Sequence, residues 1–255
     1  GDKVVNREVI PIMRSRNIQF VAKKCKPLTR MYPFFDGVKV HKYCTPKLLE
    51  IKMTSGVFQV GEKVVGHMEG DPSIRFRVAQ SNHKEGPYNA PTTIFTNNPY
   101  TSQTAASSIE SFLGTPGIVQ LQGSATSNDI PASYSSTSSI LNVDCASLAQ
   151  QAEGDYWGWV EEGMKLTGQT SGAIAEVTNK RLTSDLGATL IGSFFIPDPN
   201  KAIHPRFETG TKTFTLIDNN TNNQDQTETV GEEKYTASGT LETVQENIIS
   251  VRNAR

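Results

Sequence analysis

The chain has little of what most enzymes and membrane proteins need. It holds three cysteines in 255 residues, Cys25, Cys44 and Cys145, with no Cys-x-x-Cys and no paired histidines. Structural zinc calls for two close ligand pairs, so no metal ligand is expected. The odd set reads as free, buried thiols of a reducing compartment, ahead of a Cys25–Cys44 disulfide that nothing local supports. No apolar run approaches the roughly 20 residues of a membrane helix. No basic-then-apolar leader opens the chain, and Gly1 is not an initiator, so a piece of a longer or processed polypeptide is expected. A Gly-x-Ser-x-Gly elbow, a Walker lysine and a dinucleotide fingerprint are missing. None of His41, His67, His83 and His204 sits in a nucleophile motif, so each reads as a surface or turn histidine. The doublets Glu161/Glu162 and Glu232/Glu233 would point to opposite faces of a strand, which rules out either as a catalytic pair. No catalytic residue, no cofactor and no enzymatic activity are expected.

What is present is strand signal. "RNIQFVAK" places Ile18, Phe20 and Ala22 on one face, "SIRFRVAQ" does the same with Ile74, Phe76 and Val78, and "KTFTLID" with Phe214 and Leu216. "ATLIGSFFIP" is continuously apolar up to Pro197, as in a strand buried on both faces. Three look-alike turns recur: Phe58 leads to Gly61 and Lys63, Trp159 to Gly163 and Lys165, and Phe207 to Gly210 and Lys212. Each glycine is expected to take the positive φ of a tight turn, with the aromatic packed inward and the lysine facing water. The first two units share an order of turn, strand, turn, strand, which fits either a divergent duplication or two hairpins alike by necessity.

Residues 101–140 contain 16 Ser/Thr and two charged residues, Glu110 and Asp129, and are expected to form long loops. "TSSILNVDCASLAQQAEG" offers the one short helix, capped by Asn142 or Asp144, anchored by Leu148 and stopped by Gly154. "GTLETVQENIISVRNAR" has helical spacing but β-branched content, and is read as strand. The expected fold is mainly β: two or three small sandwich- or barrel-like units, with a basic N-terminal unit at 1–90, a loop-rich region with the helix at 91–155, and a C-terminal unit at 156–255. The flanking units are free to share a sheet, since strands return across long connections.

Net charge is −1, but residues 1–63 carry 13 Lys/Arg against 5 Asp/Glu. Arg14, Arg16, Lys23, Lys24, Lys26 and Arg30 form the candidate assembly face, steering docking to protein neighbours or to further copies of the chain. "KKCK" lacks interleaved aromatics, so nucleic acid is not an expected partner. "GDYWGW" is the most site-like stretch. Trp157 and Trp159 are candidates for stacking on a sugar, against the blander reading that one fills a core while the other covers a loop.

Several long phrases resemble segments of large virion structural proteins of contractile-tailed phages, particularly cyanophage-like myoviruses. They are "IPIMRSRNIQF", "KPLTRMYPFFDGVKV", "LNVDCASLAQQAEGDYWGWVEEGMKLTGQTSGA", "LIGSFFIPDPN…PRFETGTKTFTLIDN" and "GTLETVQENIISVRNAR". The resemblance covers nearly all of the chain outside its Ser/Thr-rich middle. It implies a structural, non-enzymatic role in the tail, in a fibre or at the baseplate periphery, after assembly in the host cytoplasm with other tail and baseplate proteins. It brings no catalytic residues. The alternative is a carbohydrate-binding adhesin module that meets a host surface glycan through Trp157, Trp159 and the loops around Tyr88 and Tyr100. A hydrolase of envelope polymer has almost no residue support.

Overall fold

The computed structural model describes residues 11–69, 73–79, 81, 134–145, 148, 157–184, 188–237 and 247–253. The N-terminal half supplies strands β1 (Arg16–Ala22), β2 (Arg30–Phe35), β3 (Val38–Lys39), β4 (Cys44–Pro46), β5 (Leu48–Ser55), β6 (Lys63–His67) and β7 (Ser73–Arg77). After β8 (Ile140–Asn142) come β9 (Trp157–Gly158), β10 (Lys165–Gly168), β11 (Ile174–Asn179), β12 (Leu182–Thr183) and β13 (Leu190–Ile196). The chain then forms β14 (Gly210–Ile217), β15 (Thr229–Ala237) and β16 (Asn247–Asn253). The protein is mainly β, and its strands make two curled sheets, each a half-barrel.

The nine-stranded sheet runs β12-β2-β14-β15-β16-β1-β13-β4, with β3 on the outer side of β2. β13, every residue of which is buried, lies between β1 and β4, as its unbroken apolar run requires. β1 and β16 pair in parallel, and the remaining pairs of this sheet are antiparallel. Phe20, Phe35, Phe194, Phe207 and Phe214 fill its hollow, with ring centroids 4.8–6.5 Å apart.

The seven-stranded sheet runs β8-β5-β11-β10-β6-β7-β9 and curls far enough for the chain at the end of β7 to bond the chain at the end of β8. Val78 bridges Val143, Ala79 donates to the Asn142 carbonyl, and Asp144 donates to the Arg77 carbonyl, the last two bonds at 2.9 Å. Leu49, Ile51, Val64, Ile74, Phe76, Leu166, Ala175 and Val177 point inside, where Val21 and Ile191 of the other sheet join them. Strands from both flanking segments enter both sheets, so the layers do not follow chain order.

Within this sheet the β6–β7 and β10–β11 hairpins are related by a local twofold. β6 and β10 pair antiparallel from Val64↔Gly168 to His67↔Lys165. Gly61 and Gly163 both have φ +83°, and each donates at 2.8 Å to the last valine of its hairpin, Val78 or Val177. Those valines donate back to the carbonyls of Glu62 and Met164 at 3.0 and 2.9 Å. Trp157 sits opposite Arg75 as Ser55 sits opposite Ile174. A Cβ on Gly66 would lie 2.5 Å from Met164 Sδ, and one on Gly168 would lie 2.4 Å from Glu62 Oε1, so both mates are glycine for matching reasons.

The three turn glycines take positive φ as expected, Gly210 at +113°. The pairing of aromatics across the first two units needs correcting by one residue. Phe58 matches Val160, and both point into the curled sheet, whereas Trp159 matches Val57 and packs outward onto the nine-stranded sheet. The positive φ of Gly158 (+93°), like that of Gly56 (+73°), redirects the chain there.

Residues 140–142 of the expected helical stretch are strand β8, so Asn142 is a ladder residue rather than a cap. Cys145 and Leu148 are helical and buried; the rest of the stretch to Gly154 lies outside the described residues. So do most of 101–140 and the loops around Tyr88 and Tyr100. The C-terminal segment is strand over Asn247–Asn253.

Candidate interaction surfaces

Trp157 and Trp159 lie where the two sheets meet, and the backbone between them is held by side chains. Asn17 Nδ2 donates to the Gly158 carbonyl at 2.8 Å, and Asn17 Oδ1 accepts from the Gly158 amide at 3.2 Å. Thr45 Oγ1 accepts from the Val160 amide at 3.3 Å. One buried asparagine thus does what a neighbouring strand would do for the edge at β9. Trp159 is 8% exposed: its ring stacks on Phe195 at 5.1 Å and takes the edges of Tyr43 and His204. Its Nε1 donates to Glu161 Oε1 at 3.0 Å. The indole is thus buried among three rings with its donor in use, as a core side chain is. Trp157 is half-buried and sets its ring against Phe195 at 4.8 Å.

Beneath the loop 197–206, Tyr43 Oη and His204 Nδ1 are 2.9 Å apart. Two turns shape that loop: Lys201 donates to the Asp198 carbonyl at 3.2 Å, and His204 to the Lys201 carbonyl at 3.0 Å. Ile203, 78% exposed, projects from it.

The basic residues do not form one cluster. Arg14 and Arg16 stand at the start of β1, and Lys23, Lys24 and Lys26 follow its end, roughly 20 Å away at 3.3 Å per strand residue. Arg16 lies over Tyr235 and Arg30 over Tyr32, with cation-to-centroid distances of 5.7 and 5.0 Å. Lys26 is ion-paired to Glu228, which raises its pKa. Arg14, Lys23 and Lys24 are exposed.

Sequence reasoning passed over the buried ionisable groups. Lys47 is 1% exposed and Lys180 5%; burial lowers both amines to about 8. Lys180 donates to the carbonyls of Lys42 and Val160 at 2.5 and 2.8 Å, tying the turn before β4 to the chain after β9. None of the three cysteines forms a disulfide and all are buried, and burial pushes the Cys44 and Cys145 thiols up to about 12. Such thiols are poor nucleophiles. Glu50 holds Arg181 through two bonds of 2.6 and 2.8 Å, and the cavity beside them, about 30 Å³, has room for a water rather than a substrate. Among the described residues no three His, Cys, Asp or Glu side chains converge as metal ligands would.

No protein-family model matches the chain, and no curated protein or solved structure matches it either.

Proposed function

We propose that the chain is a structural component of a contractile-tailed phage virion, a segment of a tail fibre or baseplate-peripheral protein that works through protein–protein assembly. The observation that carries this reading is the set of long virion-like phrases and where they fall. "LIGSFFIPDPN…PRFETGTKTFTLIDN" is β13, the loop that packs on Tyr43, and β14; "IPIMRSRNIQF" ends in β1; "GTLETVQENIISVRNAR" ends in β16. These are central strands of the nine-stranded sheet, and "LNVDCASLAQQAEGDYWGWVEEGMKLTGQTSGA" runs from β8 through β10 of the other, so the likeness falls on strands of both sheets. A role in assembly suits a chain in which buried Asn17 and Thr45 tie the two sheets together. In this reading the chain is not an enzyme, and its partners are tail and baseplate proteins, with further copies of itself.

The test is to purify particles of a phage that encodes this chain. Mass spectrometry should recover its peptides in fixed stoichiometry to the other tail proteins, and a density map should accommodate the two half-barrels in the tail. Particles that lack the chain, or carry it only in the head, would overturn the proposal.

A further inference from the structure

The local twofold relates two corners of the seven-stranded sheet whose surroundings differ. At one, Trp157–Val160 is covered by the nine-stranded sheet: Asn17 bonds both the amide and the carbonyl of Gly158, Thr45 bonds the Val160 amide, and Phe195 covers the rings. At the other, Ser55–Phe58 repeats the backbone. Gly56 has positive φ like Gly158, Ser55 faces Ile174 as Trp157 faces Arg75, and Phe58 turns into the core as Val160 does. Yet Ser55, Gly56 and Val57 are exposed, Val57 at 44%. Among the described residues no hydrogen bond reaches the amide or carbonyl of Gly56 or the amide of Phe58.

We propose that this open corner is a docking site for an extended segment of a partner protein that presents a side-chain amide flanked by apolar residues. The covered corner is the template for that chemistry. A side-chain amide carries a donor and an acceptor on one planar group, so one residue bonds both polar groups of a single glycine, as Asn17 does for Gly158. The apolar flank is set by Val57, which stands where Trp159 stands in the covered mate. Because Gly56 and its neighbours are already held by β5 and β11, little ordering cost falls on this side of the contact. A single corner is small, so affinity for one segment is weak, and repetition along an assembly multiplies it. The inference holds whichever assembly the chain serves, and so stands apart from the phage reading.

The test uses the whole 15N-labelled chain and a synthetic peptide spanning Arg14–Ala22, the protein's own covering strand. At millimolar peptide, saturable shifts are expected at the amides of Gly56, Val57 and Phe58. A peptide with Asn17→Ala should not produce them, and Val57→Asp in the protein should weaken binding about tenfold while its melting temperature holds. No shift at those amides, equal shifts with the alanine peptide, or shifts confined to Gly158 would each overturn the proposal.

Discussion

Glu62 is the side chain whose removal should cost most for its size. It is 5% exposed and serves two turns at once: Oε2 accepts from the Gln59 amide at 2.5 Å, and Oε1 accepts from the Thr170 and Ser171 amides at 3.1 Å each. It thereby fastens the turn before β6 to the β10–β11 turn. A bond to a charged acceptor contributes about 1.5–3 kcal/mol, but three on one carboxylate do not add, and amides near the surface regain water. We expect Glu62→Ala to lose about 3 kcal/mol, a fall of roughly 6–12 °C in Tm for a chain of this size. Glu62→Gln keeps an oxygen for Thr170 and Ser171 but turns an NH2 toward the Gln59 donor, so it should lose about half as much. Glu62→Met copies Met164, the twofold mate, and fills the volume without any acceptor; it should fall with alanine. Urea unfolding followed by the fluorescence of Trp157 and Trp159 reads all three. If the alanine and methionine variants stay within about 0.5 kcal/mol of the parent, the carboxylate is not the fastener described here.

Gly66→Ala should destabilise strongly, since its Cβ would meet Met164 Sδ, Ile74 and Leu166 at under 3 Å; adding Met164→Ala should recover part of the loss in the same unfolding assay. Trp159→Ala should cost about 3–5 kcal/mol as a core truncation, and a variant of parental stability would contradict its packing on Phe195. In alkali, Lys47 and Lys180 shed protons near pH 8 in the folded chain but near 10.5 when unfolded, so stability should rise above pH 8. Cys44 and Cys145 oppose this above pH 9, where the unfolded thiols ionise and the folded ones hold their protons to about 12. Stability should therefore rise from pH 8, level off between about 9 and 10.5, where two lysines and two thiols offset one another, and fall beyond; in a Cys44→Ala, Cys145→Ala double variant the rise should continue to about 10.5, and a flat profile from pH 7 to 10 would refute it. In acid, burial beside Lys180 and Arg30 lowers His41 from 6.5 to about 4, so its share of stability, present above 6.5, should be lost as pH falls toward 4, and His41→Gln should flatten that limb.

Alternation and apolar runs made the strands legible, because burial on one face or on both leaves a direct mark on residue order. β13 is the plainest case, and β1, β7 and β14 follow. The twofold was half visible. Matching by aromatic identity set Phe58 against Trp159, whereas Gly56, Gly61 and Gly66 recur at the same spacing as Gly158, Gly163 and Gly168, and the glycines mark backbone geometry that side-chain type does not. Charge counting left the spatial arrangement open. Arg14 and Lys23 are close in sequence, yet an extended strand carries them to opposite ends. Asn17, Lys47 and Lys180 gave no signal, since a buried polar residue is fixed by partners as many as 176 positions away.

The parallel pairing of β1 with β16 has a kinetic side. Phe20 faces Asn247 across the ladder, so the central strand of the sheet waits for more than two hundred residues before one of its neighbours exists. At about 5–20 residues per second of synthesis, that wait lasts roughly ten seconds or more. During it β1 offers a bare, largely apolar edge to any other chain, the situation in which misassembly competes with folding. Closure of a loop this long also makes the collapse cooperative and slow, because few contacts return their cost until the late strands arrive. A ribosome-stalled chain ending before β13 should therefore be captured by holdase chaperones, while one extended beyond β16 should resist protease.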